Sequence, residues 1–385
     1  MKLRTLLLTL VALLGIMQAR ADVTINETNF PDENFRNCLL NQSYGSDGVI
    51  TDDEIAGITK IDALGNITSL KGIEFFTALE YLNCYMNQLT SLDVSKNTAL
   101  TLLECSGNKL TSLDVSKNTA LTSLSCGGNQ LTSLDVSKNT ALTDLYCSSN
   151  QLISLDVSKN TALTYLLCYD NQLTSLDVSK NTALIWLECG SNQLTSLDVS
   201  KNTALTWLGC DSNQLASLDV SKNTALKELS CGGNQLTSLD VSKNTALTDL
   251  YCNKNQLTSL DVSKNMALTV LVCYQNQIKG SGMDALVESL PKLNSQMYVI
   301  YNKNESNVMT TVQVAAAKAK GWIPYYYIDK GKGKWEEYPG SDPSGIEKFR
   351  NSKVEELKYY DLNGRQVKTP RKGVYIINGK KVLVK

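Results

Sequence analysis

A cysteine returns every 21 residues, at Cys84, Cys105, Cys126, Cys147, Cys168, Cys189, Cys210, Cys231, Cys252 and Cys273, inside a segment copied almost verbatim. Few features restrict a fold so tightly. A unit of that length cannot bury its own apolar face, so it must stack on copies of itself, and chain length then reports copy number rather than domain count. Residues that recur become columns through the stack, and each column reports what its place in the turn requires.

One turn, Leu79 to Ala99, reads LEYLNCYMNQLTSLDVSKNTA. It holds one submotif twice: Leu79, Leu82, Cys84, Asn87, then Leu89, Leu92, Val94, Asn97. Both halves alternate as strands do, which predicts two extended sides per turn. The asparagines form two columns, Asn87 to Asn276 and Asn97 to Asn265, placed at predicted corners. A buried corner strands backbone groups, and an amide offers both donors and an acceptor to satisfy them. The cysteine stands at an inward position, where it serves as a small buried hydrophobe. Stacked cysteines lie within disulfide reach, yet in-register side chains point the same way, and zinc sites need clustered ligands such as CxxC. Packing, rather than bridging or a metal, is the expectation for this column.

The pattern LxxLxCxxNxL resembles the leucine-rich repeat, and the doubled 21-residue form is similar to the nested class found in bacterial surface proteins. The resemblance implies a leucine-rich repeat solenoid (a horseshoe or right-handed superhelix), mostly β with an extended convex side. It covers residues 58–280, about 11 turns, the first of them degenerate with Ile58, Ile61, Ala63 and Asn66 in the motif positions. Residues 22–57 are expected to form a small helical N-terminal cap. Their SYGSDGVITDDEI resembles a calcium-binding loop at Asp47, Gly48 and Glu54, but Ser43 and Gly45 replace its first carboxylates, so a structural cap is favoured. Residues 281–338 read as a small α/β cap whose aromatics belong to its core, and 339–352 as a linker rich in Pro, Gly and Ser. Residues 353–385 resemble the C-terminal sorting signal of the type IX secretion system of Bacteroidetes, through Tyr360 to Gly364, Gly373, Tyr375 and Lys380 to Lys385. That resemblance implies a short β module recognised by export machinery, with tight turns at Asn363-Gly364 and Asn378-Gly379.

Residues 1–21 read as a secretory signal peptide: Lys2 and Arg4 precede an apolar run from Leu6 to Met17, and Ala19 and Ala21 fit a cleavage site, which starts the mature chain at Asp22. The run is too short for a transmembrane segment. Secreted or cell-surface localisation, through the Sec pathway, is the expectation. With 37 basic against 38 acidic residues the net charge is -1, so nothing draws the chain to nucleic acid. There is no histidine, which removes the commonest general base and metal ligand and argues against an enzyme; no cofactor or metal is implied.

The copies can be compared with one another. The back half, LTSLDVSKN, barely changes, while four columns of the strand half change in nearly every copy: the residues before the second leucine and before the cysteine, and the two after it. The two on the strand point opposite to the buried ones and face outward on the concave side. Fixed Asp and Lys in the exposed back half argue against mere surface tolerance. Tyr165, Trp186 and Trp207 share a column on successive turns, with Tyr146 and Tyr169 close by, and Asp144, Asp170, Glu188, Asp211 and Glu228 around them. Lys254 is the only base in the four columns. Aromatics rimmed by acids suit stacking on sugar rings or anchoring a basic protein, which makes these ten residues the candidate ligand-binding set. The leading reading is a surface recognition or adhesion protein whose partner is a protein or carbohydrate of a host or neighbouring cell. Two alternatives stay open: a structural envelope protein without a specific ligand, and a glycan-active hydrolase using paired acids such as Asp144 and Glu188.

Overall fold

The computed structural model describes residues 22–302, 305–328, 333–342, 359–367, 372–377 and 380–384. The signal-like segment, most of the linker and the Asn378-Gly379 turn lie outside the described residues. Contacts divide the chain into two compact units, Met1–Gln172 and Leu173–Lys385.

The first unit opens on the cap. Val23–Thr24 pairs antiparallel with Val49–Ile50, and the helices Glu33–Leu40 and Asp52–Gly57 follow in their places along the chain. Asp32 caps the first helix by accepting from the Phe35 amide, while its other carboxylate oxygen accepts from the amide and hydroxyl of Thr68, at 2.7 and 2.6 Å. The cap is thereby tied to the first rung. Glu54 closes a capping box with Thr51, and Asp47 accepts from the Val49 amide. The carboxylates of the calcium-like loop are therefore occupied by backbone.

Six parallel strands of three residues follow: Lys60–Asp62, Tyr81–Asn83, Leu102–Glu104, Ser123–Ser125, Asp144–Tyr146 and Tyr165–Leu167. Their register steps by one repeat each time, so Ile61, Leu82, Leu103, Leu124, Leu145 and Leu166 form one column. These side chains are buried, and the residues flanking each of them are at least partly exposed. The degenerate first turn is thus a genuine rung, with one departure: Asn66 is exposed at φ 60°, although Ile67 donates to the next turn's Asn87 as Leu89 does to Asn108.

The two asparagine columns differ. Asn129 donates to the carbonyls of Cys105, Cys126 and Gly127 and accepts from the Leu110 amide. Asn139 donates to the carbonyls of Val115 and Asn118, but its Oδ1 is buried without a partner. The back half alternates as expected, with Leu155 and Val157 buried on either side of exposed Asp156. Apart from an isolated bridge between Asp93 and Asp114, its LDV pairs with no strand among the described residues, and a turn follows at the Ser-Lys pair. Its aspartate closes the turn on itself, Asp114 accepting from the Ser116 amide at 2.8 Å and Asp135 from that of Ser137 at 2.8 Å. Those bonds, with the Ser116 amide first, hold the Asp114 carboxyl below its usual range.

In the second unit the strands Trp186–Glu188, Trp207–Gly209, Glu228–Ser230, Asp249–Tyr251 and Val270–Val272 continue the same register internally. Ser295–Ile300 and Trp322–Ile328 extend this sheet in parallel, and Lys334–Glu337 closes it antiparallel. The helices Ser281–Ser289 and Thr311–Ala319 fall within residues 281–338. Trp322 is fully buried, its indole N–H donating to the Pro291 carbonyl at 2.7 Å. The tail forms a four-stranded antiparallel sheet of Tyr359–Tyr360, Gln366–Val367, Gly373–Ile377 and Lys380–Val384, with Gly364 in the left-handed region at its first hairpin.

Candidate ligand-binding face

The three-residue strand fixes which side chains a partner could reach. Its middle leucine points inward, so the residues on either side point out. In the first unit this aligns Asp144 with Tyr165 and Tyr146 with Leu167. Tyr165 and Tyr169 stand exposed. Burial, then the charge of Asp144, raises the Tyr146 phenol above its usual value, while Asp144 accepts from the Thr143 hydroxyl at 2.7 Å. Asp170 follows Tyr169 at φ 55°. The same column holds Met86, Ser149, Ser191, Ser212, Lys254 and Gln275, all at positive φ, and glycines in several other turns. One of the four variable columns is therefore also a left-handed backbone corner, a constraint hidden by its variety of side chains.

In the second unit register aligns Trp186, Trp207, Glu228 and Asp249, and beside them Glu188, Gly209, Ser230 and Tyr251. Trp186 and Trp207 were expected to be exposed; they are half-buried, because adjacent strands bring identical columns to stacking distance. Their ring centroids lie 4.4 Å apart with planes 6° from parallel. The Trp207 indole donates to Glu228 at 3.0 Å, whereas Nε1 of Trp186 is buried without a partner. Gly209 makes this arrangement possible. A Cβ there would lie 2.4 Å from Cη2 of Trp207 and 2.5 Å from Oε1 of Glu188, so ring and carboxylate both rest on bare backbone.

Glu188 is less solvated than an acid on an open sheet would be. Burial, followed by the charge of Asp211, pushes its carboxyl up to about 7. Asp211 accepts from the Ser230 hydroxyl at 3.3 Å. A carboxyl held near 7 in the fold and near 4.5 when unfolded is neutral in both states at low pH. It costs the fold stability as pH rises through that interval. The Glu188→Gln variant is therefore expected to melt with the parent at pH 4.5 and above it at pH 8. Equal melting temperatures at both would place Glu188 in ordinary solvent.

Asp144 and Glu188, paired in the hydrolase reading, fall in different units. Sequence reasoning missed Asp249 and Tyr251, which lie in the variable columns it had defined, and the glycines at 190, 209 and 232. It also assigned the cap's aromatics to the core. That holds for Trp322, but Tyr298, Tyr301 and Tyr327, together with Tyr274 of the last repeat, gather around Trp335 with centroids 4.9 to 6.2 Å away, all part-exposed. Among the described residues no group of three or more His, Cys, Asp or Glu is placed to hold a metal, and no helix is long and apolar enough to cross a membrane.

The sequence model of the family described as leucine rich repeats (2 copies) matches residues 224–265. Sequence comparison with curated proteins finds no match. Among solved structures, the chain is similar to the functional domain of InlJ from Listeria monocytogenes, which includes a cysteine ladder. Identity is 31% over 81% of this chain and 78% of that one, with a TM-score of 0.62. A leucine-rich repeat protein of Leptospira interrogans shares the fold at 23% identity, over 73% of this chain and 75% of that one, with a TM-score of 0.61.

Proposed function

Since the chain belongs to the leucine-rich repeat proteins, a family that typically mediates protein recognition, we propose that it is an exported, non-enzymatic recognition or adhesion protein that binds a protein or glycan on the outward face of its short strands. The observation that carries this is the Trp186–Trp207 stack, part-exposed in a variable column and flanked by carboxylates no protein cation neutralises among the described residues. Large aromatics on a rigid sheet are effective anchors because little conformational freedom is lost on binding. Cell-surface export in a Bacteroidetes-type bacterium is supported by the signal-like residues 1–21 and by the tail's likeness to a sorting module.

The test begins with a pull-down and a glycan array using the mature chain. Trp186→Ala with Trp207→Ala is expected to weaken binding of the partner so identified by at least about 2 kcal/mol, roughly thirtyfold. The fold should survive, since neither residue belongs to a leucine, cysteine or asparagine column. Lys180→Ala with Lys201→Ala, on the back half, should leave affinity alone. Unchanged binding by the tryptophan variant would remove this face from consideration. For export, deletion of 359–385 is expected to retain the protein in the periplasm of its own host; normal surface display would make the tail a passive module.

One observation favours a second reading, glycan hydrolysis: a carboxyl pushed up to about 7 beside a second acid, as in Glu188 and Asp211, is what a general acid requires. Release of reducing sugar by the parent, lost in Glu188→Gln, would establish it.

A further inference from the structure

We infer that the outward face of the strands from Trp186–Glu188 to Asp249–Tyr251 is a docking surface for an extended, basic polypeptide segment whose arginine or lysine side chains seat between the tryptophan pair and the surrounding carboxylates. The inference rests on the recognition reading above and adds the chemistry of the ligand. Charge complementarity carries it. Glu188, Asp211, Glu228 and Asp249 stand on or beside four successive strands, and Lys254 is the only base in their columns. None of the four acids makes an ion pair among the described residues. Their bonds run to neutral donors instead: Glu228 to the Trp207 indole, Asp211 to Ser230, and Asp249 to the Thr248 hydroxyl.

A surface offering mostly acceptors calls for a ligand rich in donors. A guanidinium carries five N–H donors and no acceptor, an ammonium three and none, whereas a sugar hydroxyl needs donors and acceptors together. Arginine also stacks on indole, and its fork matches a carboxylate edge. The glycines give such a side chain depth. A Cβ at Gly190 would meet Asp211 at 2.9 Å, and one at Gly232 would meet Asn253 at 2.9 Å. With no Cβ at either place, polar groups lie low against the backbone, leaving the indole pair raised beside them. The strands are spaced about 4.8 Å apart, and side chains on one side of an extended peptide recur about every 6.6 Å. A peptide crossing the strands can therefore place successive long basic side chains among these acids.

The probes are octa-arginine, octa-citrulline as its uncharged isostere, and chitohexaose as a neutral glycan, titrated into the mature chain at low salt and followed by calorimetry and tryptophan fluorescence. Octa-arginine is expected to bind and to perturb the tryptophan emission, and octa-citrulline to do neither. Glu188→Gln with Glu228→Gln should weaken octa-arginine at least tenfold, while Asp219→Asn on the back half leaves it unchanged. Melting curves check that both variants remain folded. Absence of octa-arginine binding, equal binding of octa-citrulline, or full affinity in the double glutamine variant overturns the inference. If chitohexaose binds instead, and Trp186→Ala with Trp207→Ala abolishes it, the face is still a recognition surface and only the basic ligand falls. If the partner from the pull-down ignores the tryptophan variant, the recognition reading itself falls.

Discussion

Replacing Asn129 by alanine is expected to lower the free energy of unfolding by about 2 kcal/mol, a large share of a domain's stability. The side chain is buried, and its removal strands the Leu110 amide at the corner, while the carbonyls of Cys105 and Cys126 each lose one of two bonds and keep those from Asn108 and Asn150. Each buried group left unpaired costs about 1 kcal/mol or more. The other column supplies the control. Asn139→Ala leaves no group unpaired, because the Val115 and Asn118 carbonyls keep the amides of Asn118 and Leu121 and the lost Oδ1 had no partner, so the loss should be smaller, about 1 kcal/mol. Urea unfolding of the two variants beside the parent measures the difference. Equal losses would mean that the acceptor bond to Leu110 contributes nothing, and that the two corners are alike.

What the sequence disclosed and what it hid follow from one distinction. A residue fixed by its own turn repeats with the turn, so the leucine, cysteine and asparagine columns could be read from spacing alone. In the back half Leu-x-Val alternates in and out as its spacing implied, while Asp114 and Ser116, two residues apart, were the signal of a side chain closing the turn that follows. That bond also gives the unvarying aspartates a structural reason. The contrast between a fixed back and a variable front therefore weighs less as evidence of binding than it did from sequence. The stacked tryptophans and the acids around them weigh more.

Other features depended on neighbours three-dimensional packing alone supplies. The elevated Glu188 carboxyl depends on Gly209 having no side chain and on Asp211 lying close, residues 21 and 23 positions away. The pairing of two indoles with small residues beside them was the available clue. Three consecutive tyrosines in WIPYYYI could not all point into one core, since successive strand residues alternate sides. The structure leaves Tyr325, Tyr326 and Tyr327 part-exposed and buries Trp322.

The largest expected rate effect concerns the thiols. The ten column cysteines are buried and not disulfide-bonded, and Cys38 is part-exposed. Burial pushes the Cys84 and Cys147 thiols up to about 12, and at Cys105 burial and then its neighbours Cys84 and Cys126 act in the same direction. The Cys105 thiol donates to the Ser125 carbonyl at 3.3 Å, a bond that holds it protonated. At pH 8 a thiol of pKa 12 is about one part in ten thousand thiolate, against about one in four for an ordinary cysteine. Labelling of the folded chain at pH 8 should therefore modify Cys38 first and leave the column thiols far slower, Cys84 and Cys147 by about a thousandfold relative to an ordinary cysteine, since a reagent must also wait for the stack to open. In denaturant without reductant all eleven should react, because in-register side chains pack without bridging. Recovery of a single reactive thiol under those conditions, with five disulfides by mass spectrometry, would overturn the packing account. Rapid labelling of several thiols in the native chain would instead show that the stack opens far more readily than its burial implies.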